Sequence, residues 1–447
     1  MNINSLHINS TSIGKPRVSR TRGVLYLLLL SFFFFSSALR AQKQASLITA
    51  WPGSEIYELC GHEAIRISGD GIDSVWNFGI FNFDEPNFVY RFVKGETDYM
   101  VDAYPFSWFL APYVQRGSRV EEQVLNLTPD EVDRLQKLLN RATTPPNNRY
   151  RYNYIKNNCS TKVADILDSV AGGEIVYPDT VRFASYRDAM RGYHVNYPWY
   201  QFGIDVALGS GLEEPLSARK ELFIPVEFFR HAAKATLPDG RPLVKSTDTL
   251  FPGSPNAVDG PTPFLLTPLW VSIVIAAITL LLIACCWRKN CIPRWWYAFY
   301  FTLAGLAGCL VAFLVCISSH AATSPNLLIF WLNPLQLIIP FSLWSRRMRY
   351  PLSSMMWLNL AVVTMLLVLC PIFNKGQAGQ TSLLILMATD IVLAAYYLYA
   401  SHRRDSLPVS FDMSNTRKGS KNKSSRKNST RNDSSKNKGI KIRTTRK

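Results

Sequence analysis

Asn157-Asn158-Cys159-Ser160-Thr161-Lys162-Val163-Ala164-Asp165-Ile166-Leu167-Asp168-Ser169-Val170-Ala171, followed by Gly172-Gly173, is the stretch on which the reading of this chain turns. Val163, Ile166, Leu167 and Val170 recur at helical spacing, which predicts a helix with one buried face. The Gly pair ends it. Asn158 is a good N-cap, so Cys159 falls in the first turn, among unpaired backbone N–H groups at the positive end of the helix dipole. Both features favour a thiolate, so the expectation is a thiol pKa below the usual value of about 8.5. Upstream, Ala64–Ile67 reads as a short strand entered through Gly61-His62, and Val75-Trp76-Asn77-Phe78 as a second after the turn Gly69-Asp70-Gly71. Thr128-Pro129-Asp130-Glu131 opens another helix with a capping box, and Val132, Leu135, Leu138 and Leu139 mark its expected buried face. Strands followed by helices indicate an α+β domain.

A cysteine at a helix start becomes a nucleophile when an imidazole takes its proton. Residues 42–252 contain three histidines, His62, His194 and His231. His62, entering a strand, is the candidate base, and the other two read as structural. The N–H of Cys159 or a neighbour would form an oxyanion hole. A third polar group normally orients the imidazole; Asn77 on the next strand is the first candidate and Asp84 the second. Two blander readings compete. His62 is then an ordinary part-buried histidine, or Cys60 and Cys159, the two cysteines of this region, form a disulfide, since Cys60 at i−2 would face the same way as His62. No metal or cofactor is expected: there is no His-Glu-x-x-His or Cys-x-x-Cys motif, the Ala207–Gly211 stretch lacks the lysine of a phosphate loop, and there is no Gly-x-Ser-x-Gly elbow.

The 447 residues carry a formal charge of +17. Four basic residues and no acid lie in 1–23, and fifteen basic residues and three acids in 401–447, so 24–400 keeps only +1. That distribution excludes a basic nucleic-acid-binding body. Lys15, Arg17, Arg20 and Arg22 precede the apolar Val24–Leu39, and residues 1–41 read as an export signal peptide. Five apolar runs follow in the second half: Pro268–Trp287, Trp295–Ile317, Leu327–Trp344, Met355–Phe373 and Ser382–Tyr399. Each is long enough to cross about 30 Å of hydrocarbon, and Asn333-Pro334 predicts a kink in the third. Arg288, Lys289 and Arg294, then Arg346, Arg347 and Arg349, then the basic tail, alternate with loops poor in Lys and Arg. The positive-inside rule puts these basic segments in the cytoplasm and residues 42–267 in the periplasm. The expected organisation is a signal peptide over 1–41, a periplasmic domain over 42–252, a Pro/Gly-rich linker over 253–267, five transmembrane helices over 268–400 and a disordered basic tail over 401–447. Asp390 is the one acid inside an expected span. Two aromatic stretches, Phe106–Leu110 and Tyr197–Tyr200, are candidates for contact with the membrane interface.

The order of these motifs supports a resemblance. His62 comes first, then Asn158-Cys159 opening a helix, with Cys159 97 residues after His62. This resembles the circularly permuted papain-like acyltransferases that include lecithin:retinol acyltransferase. Gly61–Ile67, Trp76–Asp84, Tyr154–Thr161, Phe202–Asp205 and Leu222–Pro225 more closely resemble the periplasmic domain of a second type of bacterial lipoprotein N-acyltransferase, over about residues 45–235 with a multi-span half behind it. The resemblance implies a permuted papain-like fold. It also implies a two-step transfer in which Cys159 takes an acyl chain from a phospholipid with His62 as base, and the α-amine of the lipid-modified N-terminal Cys of an apolipoprotein takes it from the thioester. Asn77 carries over less directly, since the permuted pattern often has His there. The same residues admit two other readings, a cysteine hydrolase (cell-wall peptidase or phospholipase) and a non-enzymatic exported assembly module.

Overall fold

The computed structural model describes residues 42–255, 257–373 and 380–406. The expected signal peptide, Lys375 and the tail from residue 407 lie outside these residues.

Seven strands form one antiparallel sheet: β1 Gln44–Ala50, β2 His62–Gly69, β3 Ile72–Ile80, β4 Asp98–Pro105, β5 Val120–Leu125, β6 Arg149–Arg151 and β7 Val244–Phe251, in the order β6-β4-β3-β2-β1-β5-β7. The turn between β2 and β3 has positive φ at Gly69, Asp70 and Gly71, and it sets the register that pairs Ala64 with Asn77. Side chains alternate across the sheet. Leu47, Ile65, Ile67, Trp76 and Phe78 point to one face, while Ile48, Ala50, Ala64 and Val75 point to the other. β7, which the sequence reading assigned to no element, is an edge strand with mostly exposed polar residues; it has no apolar alternation to betray it.

The helices of seven or more residues in this domain are α1 Phe88–Lys94, α2 Phe106–Arg116, α3 Pro129–Thr143, α4 Cys159–Ala171, α5 Tyr186–Tyr193, α6 Pro198–Ala207 and α7 Pro225–Ala232. In α3 the Thr128–Glu131 capping box forms and Val132, Leu135 and Leu139 are buried. Leu138, expected on that face, is 36% exposed, because the buried stripe runs at i, i+3 and i+7. Asn158 caps α4 by accepting the Thr161 N–H, and Gly172 ends the helix with φ 73°. Val163, Ala164, Leu167 and Val170 seat α4 on the Ile65–Phe78 face; each fully buried aliphatic side chain contributes about 1.5–3 kcal/mol. α2 covers the opposite face with Phe109 and Tyr113.

Beyond the sheet domain lie α8 Pro268–Trp287, α9 Arg294–Cys316, α10 Arg349–Phe373 and α11 Thr381–Ser406. Among the described residues, four helices are long and apolar enough to cross a membrane. The third apolar run departs from the expected kinked span. It breaks into 3-10 turns at Leu327–Phe330 and Pro334–Leu337 and a short helix, Ile338–Ser342. Pro334 has no N–H for a continuous helix, and Asn333 starts a new turn by accepting the Leu335 N–H. The broken segment lies against α9 at Gly308, where a Cβ would come within 2.4 Å of the Asn333 nitrogen. Only glycine lets the two backbones approach so closely. α11 runs on to Ser406, past the expected start of the tail at residue 401, and Arg404 bonds the Asn290 carbonyl.

The two halves are joined directly. Gly209 donates to the Ala322 carbonyl at 2.8 Å, Ser210 to that of Pro325, and Asn326 Nδ2 to that of Val206. Gln380 Nε2 donates to Asp205 Oδ2 at 3.0 Å. Asp205 is itself held by Arg187 at 2.6 Å, both side chains fully buried. The 253–267 stretch is not a free tether: Thr262 bonds Asn196, and Trp199 Nε1 donates to the Leu266 carbonyl.

Candidate active site

The site assembles where β3 separates from β2. β3 shifts register between Phe78 and Ile80, at Gly79, whose φ is 90°. A Cβ at Gly79 would stand 3.7 Å from both Cys159 Cβ and the Tyr152 ring, so Gly79 passes between the helix start and an aromatic wall. The backbone N–H groups of Glu63, Ser160 and Cys159 itself lie close enough to the Cys159 thiol to pull its pKa down. Asn158 fixes the helix start from beneath, donating through Nδ2 to the carbonyls of Tyr154 and Phe223.

His62 and Asn77 approach from the α2 side. His62 Nε2 lies 2.5 Å from Asn77 Oδ1. Asn77 Nδ2 donates to the Tyr104 hydroxyl, which orients Oδ1 toward the ring. Nε2 therefore carries the proton, and Nδ1 is left as the basic nitrogen, an assignment made from the hydrogen-bond network. The ring stacks on Tyr113 and lies beside Phe109. Tyr104, the residue that fixes the Asn77 amide, escaped the sequence reading, because a strand tyrosine two residues beyond the pairing partner of Asn77 carries no motif.

Electrostatics correct one expectation. Burial pushes the Cys159 thiol up to about 11, against the pull of its three backbone N–H groups. The helix-start amides are present, as expected, but Cys159 is only 7% exposed and desolvation outweighs them. Burial lowers the pKa of His62, with Asn77 opposing. The resting pair is thus a neutral thiol and a neutral imidazole. Glu63, also missed from sequence, is wholly buried on the Cys159 side; Thr49 donates to its Oε2 at 2.8 Å and its Oε1 has no partner. Burial holds its carboxyl well above the usual carboxylate range.

Other candidates fall elsewhere. Cys60 and Cys159 are both free thiols. Cys60 lies in the turn before β2, with Sγ 3.2 Å from the Tyr154 hydroxyl, so the proposed disulfide is not formed. Asp84 is exposed in the β3–α1 loop, away from His62. His194 is buried on Gln201 and His231 on Glu221. Asp390 is buried in the helical half, accepting from Trp331 Nε1 at 2.9 Å and from Asn359 Nδ2. Among the described residues no group of three or more His, Cys, Asp or Glu is placed to hold a metal ion.

No curated protein and no solved structure matches the chain. Residues 35–192 match the Lnb N-terminal periplasmic domain, and residues 261–405 match the Lnb transmembrane domain. The two matches fall on the sheet domain and the helical half in that order, and with both halves accounted for the chain belongs to the Lnb family of lipoprotein N-acyltransferases.

Proposed function

We propose that the protein carries an acyl chain from a phospholipid to the α-amine of the lipid-modified N-terminal Cys of a lipoprotein, through a thioester on Cys159. The observation that supports this reading is that Cys159 opens the capped helix α4 with the Glu63 and Ser160 N–H groups acting on its thiol, while His62, the residue before Glu63, has its Nε2 committed to Asn77. His62 Nδ1 takes the thiol proton as sulfur attacks the ester carbonyl. The carbonyl oxygen becomes an oxyanion, and backbone donors of the kind gathered at the sulfur stabilise it, each worth about 10²–10³ in rate. The C–O bond breaks, His62 returns the proton to the departing lysophospholipid alkoxide, and the thioester remains. The lipoprotein amine then attacks, His62 takes its proton, and the C–S bond breaks to give the amide and the restored thiol. Asn77 holds the ring in the required tautomer throughout.

A neutral resting pair in a dry site suits this chemistry. The thiol gives up its proton to His62 only as the sulfur attacks the acyl donor, and exclusion of water favours aminolysis over hydrolysis. Docking of the sheet domain on the helical half keeps Cys159 close to substrates that are themselves membrane-anchored. The same reading takes 42–252 as the periplasmic catalytic unit and the broken 327–344 segment as a fifth crossing, with the basic tail in the cytoplasm. Its packing along α9 supports that path, since it begins at the Asn326–Val206 contact beside the sheet domain and ends before Arg349, which bonds Ser401 near the end of α11.

Intact-mass analysis of the purified protein incubated with phospholipid tests the proposal. The expected result is one acyl adduct on Cys159 that is removed by hydroxylamine and by a lipopeptide amine. Absence of the adduct in an active preparation, or its persistence in Cys159→Ala, overturns it.

A further inference from the structure

A file of aromatic rings joins the site to the level of the membrane. At its outer end α1 rests on the periplasmic end of α9. Tyr90 meets Phe313 at 6.1 Å, Ser318 Oγ donates to the Val93 carbonyl and the Ser319 N–H to that of Lys94, and the His320 ring bonds the Phe92 carbonyl at 2.7 Å. These contacts hold α1 where the bilayer surface meets α9. The helix buries none of its residues, and Val89 is 72% and Phe83 59% exposed. So much apolar surface on a seven-residue helix and the loop before it is unfavourable in water and favourable at a lipid interface. Inward from α1 the rings follow one another. Phe92 and Phe88 are 6.1 Å apart, Phe88 and Phe81 6.0 Å, Phe81 and Tyr99 5.0 Å, and Tyr99 and Tyr152 4.1 Å, with Phe83 closing the flank at 4.7 Å from Phe81. Tyr152 stands beside Gly79, whose other neighbour is Cys159 Cβ.

An aromatic cluster is ordinarily core, but a core cluster does not leave one flank open beside a membrane helix and run inward to the Gly79 backbone beside Cys159. We propose that α1 dips into the periplasmic leaflet and that this file of rings is the track along which a phospholipid acyl chain leaves the leaflet and reaches Cys159. The inference rests on the acyl-transfer reading and adds to it the entry route of the donor. The two aromatic stretches singled out from sequence lie outside this track, with Trp108 and Trp199 exposed. Phe109 is buried in the sheet domain and Phe106 lies under the Arg66 guanidinium, while Trp199 is tied to Leu266 at the start of α8.

The test uses the full-length Cys159→Ser protein in liposomes containing a phospholipid with a diazirine at the end of one acyl chain. Cross-linking needs no turnover, so its result stands apart from the chemistry. The expected labels fall within residues 81–92 and on Tyr99 or Tyr152; labels confined to α8–α11 overturn the track. In a second arm, Phe83→Asp/Val89→Asp in the otherwise native protein lowers thioester formation from long-chain phospholipid by about tenfold or more, while formation from a soluble short-chain p-nitrophenyl ester falls by less than about threefold. Equal loss with both donors overturns the track. Failure of the native protein to form a thioester from either donor instead overturns the acyl-transfer reading and leaves the cross-linking result to decide the lipid route.

Discussion

The backbone N–H of Glu63 lies close enough to Cys159 to draw its thiol pKa downward, and Glu63 directly follows His62 on β2. The sulfur comes in from the α4 side of the sheet, and the imidazole lies with Asn77 on the α2 side. β3 shifts register at Gly79, where its backbone passes beside the start of α4.

A thiol held up to about 11 by burial reacts slowly at rest. Iodoacetamide labelling of Cys159 without substrate is expected to climb with pH past 9 with no plateau near neutrality. Peptide mass spectrometry after short exposures across pH 6–10 measures it; a plateau below pH 8 would show a pre-formed ion pair instead.

His62 and Asn77 separate by the size of their effects. His62→Ala is expected to slow thioester formation by about 10²–10⁴-fold, the usual contribution of a general base. Asn77→Ala keeps the base and loses its orientation, so the expected loss is smaller, about 10–10²-fold. Both variants retain the alkaline alkylation of Cys159, because its thiolate there owes nothing to the imidazole. Single-turnover acylation beside iodoacetamide labelling reads both quantities. Loss of alkaline labelling in either variant points to a collapsed site rather than to lost catalysis.

Glu63 gives a prediction on stability. Its carboxyl stays protonated in the folded protein at pH values where the unfolded chain, with an ordinary carboxyl near 4.5, has released the proton. The unfolded state then binds fewer protons, so this group makes stability fall as pH rises from about 4.5 toward the raised folded value. Glu63→Gln keeps the shape and the Thr49 bond but cannot ionise, and is expected to flatten that decline. Thermal melts of both proteins between pH 5 and 8 measure the difference; parallel curves would mean that the carboxyl is ionised in the folded state.

The parts of this architecture that were legible from sequence are those set by local chemistry. Asn158 and Thr161 cap α4, Thr128 and Glu131 cap α3, and Gly69-Asp70-Gly71 turns the chain, each within a few residues. The His62–Asn77 contact follows from that short turn, which fixes the register of the two strands. What stayed hidden depends on tertiary burial. No local pattern reports how dry Cys159 becomes, and so the expected lowering of its pKa was the wrong sign. Glu63 looks in sequence like an exposed strand acid and is instead enclosed by α4. The exposed rings of α1 gain meaning only from the α9 end beneath them. The third apolar run had the composition of a span; Asn333-Pro334 marked the break, but its depth is set by Gly308 on another helix.

That last contact is a measurable constraint. A Cβ on Gly308 would meet the Asn333 backbone nitrogen at 2.4 Å, and backbone cannot rotate aside as a side chain can. Gly308→Ala is therefore expected to destabilise the helical half by about 1–3 kcal/mol, the usual cost of overpacking a close interface. Gly203 in α6 supplies the contrast, since a Cβ there meets nothing within 4 Å. Gly203→Ala in a helix interior is expected to be neutral or stabilising by up to about 1 kcal/mol. Thermal melts in one detergent compare the two substitutions directly. If both variants shift the melt in the same direction and by the same amount, the broken segment does not rest on α9 at this glycine.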